Sequence, residues 1–144
     1  MSRIKICGLR RPEDIAAVNE ARPDYCGFIV EYPKSRRSID RATLRELVRG
    51  LREEIVPVGV FVNAPKELVA ELLEEGTIQI AQLHGQESQE YIQELKVLTE
   101  KPLIQAFSIK SKEDVERARE SAADYILLDQ GSGGTGKVFD WSLV

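Results

Sequence analysis

The sequence predicts a single domain of the α/β class, in which parallel strands alternate with helices. Three observations favour this class. Short apolar segments alternate with amphipathic ones along the 144 residues. The apolar segments are nearly continuous, as is typical of parallel strands covered on both faces. Polar or reactive side chains recur where these segments end, which is where parallel α/β proteins gather their chemistry.

Six strand–helix units follow one another, and the sixth is incomplete. The expected strands are residues 3–7, 25–30, 55–62, 78–83, 102–107 and 125–129. The expected helices are residues 12–21, 40–52, 65–76, 88–99 and 111–122. Strict alternation implies a parallel sheet with right-handed crossovers. After the sixth strand, a glycine-rich loop leads to the opening of another helix at Trp141.

Local signals support the individual helices. Pro12 suits the first turn of the first helix, where a missing N–H costs little. Asn63 is expected to cap the third helix. Ser111 and Asp114 fit the N-cap and N3 positions of the fifth. The second helix has an apolar stripe at helical spacing, formed by Leu44, Leu47, Val48 and Leu51.

Composition excludes several classes of protein. A net charge of -4 argues against a general nucleic-acid surface. No apolar run approaches the roughly 20 residues of a membrane helix, and the first residues lack the roughly 7–15 apolar residues of a signal peptide. A cytoplasmic location is therefore expected. A single histidine rules out a multi-histidine metal site within these residues, and we expect no metal and no cofactor.

A parallel α/β chain forms either a doubly wound sheet or a barrel. Here Cys7, Arg37, His84 and Asp129 follow four different strands. Such a distribution suits a barrel, in which the strand ends form a ring. A doubly wound sheet instead concentrates its ligand-binding residues at one switch point. The sequence therefore favours a TIM-type barrel, with residues 1–144 as one domain.

Each candidate residue also has a purely structural interpretation. Cys7 could be a small buried hydrophobe, and His84 could be bonded to the backbone. Arg37 could be half of a solvated pair with Arg36, and Asp129 could cap the turn that follows it. Cys26, at the opening of the second strand, is expected in the core, on the order of 15 Å from Cys7 and too far for a disulfide.

The loop after the sixth strand has two interpretations. Residues 131–137 match the first seven positions of a phosphate-binding P-loop, but Val138 stands where that motif needs a Mg²⁺-binding Ser or Thr. A P-loop also leads directly from its strand into a helix, whereas here residues 138–140 intervene and Asp140 is the better cap for a helix that begins at Trp141. In the other interpretation, Gly133, Gly134 and Gly136 belong to a mobile lid over Asp129.

Five segments resemble the phosphoribosylanthranilate isomerase family of tryptophan, and hence aromatic amino acid, biosynthesis. They are KICGL (5–9) with Asp14, GFIV…YPKSRRSI (27–39), VGVFVN (58–63), QLHG (82–85) and LLD…GGTGKVFDW (127–141). The resemblance extends along the chain and implies a (β/α)8 barrel without a cofactor. It implies an Amadori rearrangement of N-(5-phosphoribosyl)anthranilate to 1-(2-carboxyphenylamino)-1-deoxyribulose 5-phosphate.

The resemblance also implies roles for residues. The reaction needs an acid that opens the ribose ring and a base that removes the C2 proton. The family's base matches Cys7 and its acid matches Asp129. The arginine that engages the anthranilate carboxylate matches Arg37, with Arg36 as its alternative, and the histidine near the site matches His84. The glycine-rich loop is then the lid.

The family has eight strand–helix units, and six are recognised here. We therefore expect an incomplete barrel, from a truncated, split or engineered chain, without the phosphate site that follows strands 7 and 8. The expected partner is a small phosphorylated substrate. A second chain or self-association is expected to cover the open sheet edges. The alternative functions are an inactive, self-associating barrel fragment and, more remotely, a P-loop-like nucleotide binder.

Overall fold

The computed structural model describes residues 2–129 and 142, and within them all strands belong to one sheet. The strands are β1 (Lys5–Cys7), β2 (Tyr25–Val30), β3 (Ser38–Ile39), β4 (Val56–Phe61), β5 (Ile80–Leu83), β6 (Leu103–Ser108) and β7 (Tyr125–Asp129). The helices are α1 (Pro12–Ala21), α2 (Arg41–Arg49), α3 (Lys66–Glu74), α4 (Gln89–Leu98) and α5 (Lys112–Arg119).

The sheet is parallel, and its strands lie in chain order. The order is β1-β2-β4-β5-β6-β7, with the short β3 paired to β2. A doubly wound sheet reverses its order at a switch point, so the observed order fits the barrel alternative. The described strands therefore confirm the predicted parallel α/β class and form the greater part of a barrel wall.

The strands are staggered, as barrel closure requires. One row of neighbouring residues runs Cys7, Gly27, Val58, Ile80. The next row runs Ile29, Val60, Gln82, Ile104, Tyr125. Residues directly opposite one another in parallel strands point to the same face, and the two rows are two residues apart on β2. Both rows therefore lie on one face, called here the inner face.

The stagger corrects the predicted separation of the cysteines. Cys26 is paired with Ile6, the residue before Cys7, and is therefore close to Cys7 rather than on the order of 15 Å away. The estimate was wrong because it assumed strands that start level. Both cysteines are free, as predicted, and Cys26 is fully buried. Because Cys26 is adjacent to Gly27 on β2, its side chain points away from the inner face.

The hydrophobic core lies between the outer face of the sheet and the helices. Phe28 and Phe61 are fully buried there, and α2 contributes Leu44 and Leu47. Val48 and Leu51 of the predicted α2 stripe pack against the same core while partly exposed. A fully buried Leu or Phe side chain contributes roughly 1.5–3 kcal/mol relative to an exposed one, so these residues hold the helices on the sheet.

Two predicted helix starts are confirmed and one is wrong. Pro12 opens α1, and Asp114 at N3 accepts hydrogen bonds from the backbone of Lys110 and Ser111. Asn63 does not cap α3, whose N-cap is Pro65. Asn63 instead adopts a positive φ of 52°, and its Oδ1 accepts from the Gln86 backbone N–H at 2.9 Å.

The edge strand β7 is the least covered part of the sheet. Tyr125 is 62% exposed, Ile126 44% and Leu127 39%. In the sheet formed by the described residues, β1 and β7 occupy the two edges. Among the same residues, no helix has the length and apolar character needed to cross a membrane.

Candidate active site

Cys7 is the last residue of β1, and its thiol occupies space left by a glycine. Gly27 is its partner on β2. A Cβ added to Gly27 would lie 2.6 Å from Cys7 Sγ and 3.4 Å from Cys7 Cα. The thiol therefore lies over the inner face of β2, and Cys7 is exposed to solvent. The sequence did not indicate this role for Gly27, because it depends on the register between two strands.

Arg37 lies directly over the loop that follows Cys7. A Cβ added to Gly8, which has a φ of +89°, would lie 2.6 Å from Arg37 Cδ and 2.9 Å from its Nη1. The short strand β3, which begins at the next residue, pairs with β2 and fixes the position of this segment. Ser35 Oγ also accepts from the Arg37 backbone N–H at 3.2 Å. No ion pair of the Arg37 guanidinium exists among the described residues.

The surroundings of Cys7 and Arg37 form a basic pocket of about 400 Å³. It is lined by Cys7, Gly8, Leu9, Arg10, Arg11, Asp14, Arg36 and Arg37. Arg36 contributes its backbone carbonyl to a 3.1 Å hydrogen bond from Arg10 Nη1. The three atoms nearest to a Cβ added at Gly8 all belong to Arg37. The pocket therefore favours an anionic ligand group, and the Arg37 side chain lies over Gly8, the residue that follows Cys7.

Asp14 shapes the loop at the base of this pocket. Its Oδ2 accepts hydrogen bonds from the backbone N–H of Arg10 at 3.0 Å and of Arg11 at 3.1 Å. These bonds, with that of Arg10 the stronger cause, hold the pKa of Asp14 below its ordinary value. The carboxylate therefore serves to fold the loop after β1.

Asp129 and His84 approach each other on the inner face, toward the edge of the sheet opposite to that of Cys7. Asp129 ends β7, four residues after the inner-facing Tyr125, so its side chain lies on the same face as Cys7. His84 Nε2 lies 3.7 Å from Asp129 Oδ2. His84 does bond through its backbone N–H to Phe61, but its ring faces side chains. The inner face thus carries a thiol and a carboxyl group on its two edge strands.

Glu87 connects the loops behind His84, and the sequence did not indicate it. Its side chain is buried, and its Oε2 accepts from the Asn63 backbone N–H at 2.7 Å. Its Oε1 accepts from the Gly85 backbone N–H at 2.9 Å. The loops after β4 and β5 are therefore held together by one carboxylate.

Several predictions concern residues outside the described part. The lid glycines Gly133, Gly134 and Gly136 lie there, as does the P-loop-like segment 131–137. Whether Asp129 caps the following turn also depends on those residues. Within the described part, no group of three or more His, Cys, Asp or Glu side chains is arranged to hold a metal ion. The expected absence of a cofactor stays a prediction.

Comparison with known proteins decides the family. The family model described as N-(5'-phosphoribosyl)anthranilate (PRA) isomerase matches residues 4–144. The chain belongs to the phosphoribosylanthranilate isomerase family. A curated member from Caldanaerobacter subterraneus subsp. tengcongensis is 42% identical over 148 residues, and the alignment covers 100% of this chain and 70% of that protein.

Solved structures of the family confirm the TIM-type fold. The phosphoribosylanthranilate isomerase of Thermotoga maritima is 37% identical, with a TM-score of 0.83 over 99% of this chain and 70% of that one. A second structure of a phosphoribosylanthranilate isomerase contains reduced 1-(o-carboxyphenylamino)-1-deoxyribulose 5-phosphate. It is 35% identical, with a TM-score of 0.77 over 90% of this chain and 65% of that one.

Proposed function

We propose that this chain supplies the acid, the base and the carboxylate-binding arginine for the Amadori isomerisation of N-(5-phosphoribosyl)anthranilate. The observation that carries the proposal is the placement of Cys7 and Asp129 on one face, at the carboxyl ends of the edge strands β1 and β7. An acid and a base must reach the sugar from different sides, and strands at opposite ends of a curving sheet allow this. The family membership and the ligand of a related structure support it.

The chemistry assigns one proton to each group. Asp129 gives its proton to the ribose ring oxygen as the bond from that oxygen to C1 breaks, which leaves an open-chain Schiff base. Cys7, as thiolate, takes the proton from C2, and the electron pair of that bond moves toward the imine to give an enolamine. Tautomerisation then adds a proton to C1 while the hydroxyl group on C2 loses its proton, which gives the ketone. Product and substrate are therefore isomers, and no redox partner is required.

The phosphate-binding part of the site is outside this assignment. The chain spans about 70% of the length of the relatives it matches. Experiments on the reaction therefore use the completed barrel, defined as residues 1–144 together with the part of the Thermotoga maritima enzyme that this chain does not span. The proposal fails if the completed barrel does not convert N-(5-phosphoribosyl)anthranilate, as followed by chromatography of substrate and product.

Arg37→Met is expected to raise the KM of the completed barrel with a smaller effect on kcat. A charge-assisted hydrogen bond to the anthranilate carboxylate contributes roughly 1.5–3 kcal/mol, which corresponds to roughly a 10- to 150-fold change in binding. Steady-state kinetics of Arg37→Met and Arg36→Met provide the comparison. Arg36 is the matched control because the three atoms nearest to a Cβ added at Gly8 all belong to Arg37 and none to Arg36. If Arg36→Met were the sensitive variant, the assignment of the ligand arginine would be wrong by one residue.

Gly27→Ala is expected to lower kcat without removing any polar group. The added methyl would lie 2.6 Å from Cys7 Sγ, so the thiol must move. A displacement of about 1 Å of a reacting group costs on the order of 10²-fold in rate. The control is Gly50→Ala, whose added Cβ would lie 3.5 Å from its nearest neighbour, an ordinary contact. Equal kcat values for the two variants would contradict a role for the thiol at its observed position.

A second candidate function rests on the exposed edge of the sheet. Tyr125, Ile126 and Leu127 present apolar surface on the edge strand β7, and such edges promote pairing with other chains. Residues 1–144 alone would then be an inactive, self-associating fragment. The nucleotide-binding alternative has no supporting observation in the described residues. A cytoplasmic location stays a prediction.

A further inference from the structure

A line of polar side chains crosses the inner face toward Asp129, and the reaction steps above use only its last member, Asp129. It begins at Lys5 on β1, whose Nζ donates to Gln82 Oε1 on β5. Gln82 Nε2 lies 3.5 Å from His84 Nδ1. His84 Nε2 in turn lies 3.7 Å from Asp129 Oδ2. Gln82 is only 3% exposed, so its polar atoms face this line rather than bulk solvent.

Lys5 determines which end of the Gln82 amide faces His84. An ammonium group has three donors and no acceptor, so it must meet the amide oxygen. The amide NH₂ group then points to the other side, toward His84. Burial lowers the pKa of Lys5, whereas the nearby Cys7 opposes that shift. The lysine is therefore held partly out of water, where its hydrogen bond to Gln82 is worth more than on the surface.

The orientation of the Gln82 amide favours one tautomer of His84. The amide NH₂ group can only donate, so a hydrogen bond between Gln82 Nε2 and His84 Nδ1 requires Nδ1 to accept and to carry no proton. The proton of the neutral imidazole is then on Nε2, which faces Asp129. The 3.5 Å and 3.7 Å approaches are long for hydrogen bonds. Catalytic contacts commonly tighten when substrate binds.

Three charged groups near His84 already have partners. Glu87 is bonded to the backbone N–H groups of Asn63 and Gly85. Asp114 and Arg117, at the same pocket rim, form an ion pair with each other. The groups that face the ring along the line are therefore Gln82 on one side and Asp129 on the other.

We propose that Lys5 and Gln82 are positioning residues that hold His84 as the neutral Nε2–H tautomer. His84 then donates to the Asp129 carboxylate that forms when the acid gives its proton to the ring oxygen. A protonated imidazolium in the same place would favour the ionised carboxylate before the reaction and would deprive Asp129 of the proton it must donate. The inference rests on the proposed function and adds Lys5, Gln82 and His84 to its machinery.

The test combines the tautomer of His84 with steady-state kinetics. His84 is the only histidine in the 144 residues, so a completed barrel with ¹⁵N-histidine in this part alone gives one set of ring signals. Two-bond ¹H–¹⁵N correlation spectra at pH 8 show which nitrogen carries the proton. Wild type is expected to be Nε2–H. Gln82→Glu, which is nearly isosteric, presents an acceptor to Nδ1 and is expected to shift the proton there.

The kinetics of the same variant are expected to change in kcat rather than KM. The loss in kcat is roughly 10- to 100-fold, less than that expected for loss of the acid itself. Lys5→Met, which frees the amide of Gln82 to turn, is also expected to lower kcat. Lys5→Arg, which keeps a donor at this position, is expected to have a kcat between those of Lys5→Met and the wild type. The matched controls are Gln93→Glu and Lys101→Met, both at exposed positions, and neither should alter tautomer or kcat.

Three results would overturn this inference. They are a wild-type Nδ1–H tautomer, a tautomer shift in Gln82→Glu without loss of kcat, and a loss of kcat without a tautomer shift. A completed barrel without isomerase activity would instead contradict the proposed function. The ring spectrum of that protein would still test whether Lys5 and Gln82 set the tautomer.

Discussion

Cys7→Ala and Asp129→Asn each lower the turnover of the completed barrel by roughly 10²–10⁴-fold, the usual contribution of a positioned acid or base. Alanine cannot accept the C2 proton, and an asparagine amide cannot give a proton to the ring oxygen. The substitutions are small and the Cys7 side chain is exposed, so the fold should persist. Steady-state turnover of N-(5-phosphoribosyl)anthranilate, normalised to folded protein by circular dichroism, measures the effect.

Cys26→Ala is the matched control for the cysteine. Cys26 is fully buried, and burial raises the pKa of its thiol to about 12, with the nearby Cys7 as a weaker cause. Its thiol is therefore neutral at neutral pH and faces the core. Turnover per folded molecule should stay near the wild-type value. A large loss in Cys26→Ala would mean that the wrong cysteine has been chosen, and wild-type rates in both Cys7→Ala and Asp129→Asn would refute the proposed mechanism.

Residues 1–144 produced alone are expected to self-associate and to show no measurable isomerase activity. Closing a parallel barrel requires each strand to bond on both sides, and β1 and β7 are the edges of the sheet that the described residues form. The β7 edge has an apolar surface, formed by Tyr125, which is 62% exposed, and by Ile126 and Leu127. Addition of the part of the Thermotoga maritima enzyme that completes the barrel should restore both a compact species and activity.

Size-exclusion chromatography with the isomerase assay, before and after that addition, measures both changes. Leu127→Lys should reduce self-association because a charge on an edge strand opposes pairing, and it should also weaken complementation. Val97→Lys is the control, since Val97 is 86% exposed on α4 and distant in sequence from the edge strand. A monodisperse and fully active protein of residues 1–144 alone would contradict this expectation.

The fold was largely predictable because its signals are local. Apolar runs and helical stripes report burial within one element, and they placed the main strands and the described helices close to their observed positions. The two-residue strand β3 was missed, since two residues carry no period. Asn63 has the residue type of a helix cap, but its side chain bonds to the loop after β5 instead. Tertiary contacts of this kind leave no local pattern.

The candidate site was predictable only as a set of residue types at strand ends. Cys7, His84 and Asp129 have reactive or titratable side chains, and their positions at the ends of strands indicated that they lie on the same side of the fold. The contributions of Gly27, Gln82 and Lys5 depend on how far neighbouring strands are shifted along one another. That shift is set by packing across the whole sheet, so one strand's sequence does not contain it.

Positions 7 and 27 together hold the volume of one side chain, although they belong to different strands. The effect of a substitution at either position on folding therefore depends on which residue occupies the other. Libraries that vary the two positions jointly should recover folded pairs in which the larger residue has moved from β1 to β2. Scans of position 27 alone would classify that position as intolerant. The reactive group could in this way be transferred to the neighbouring strand while the wall of the barrel stays filled.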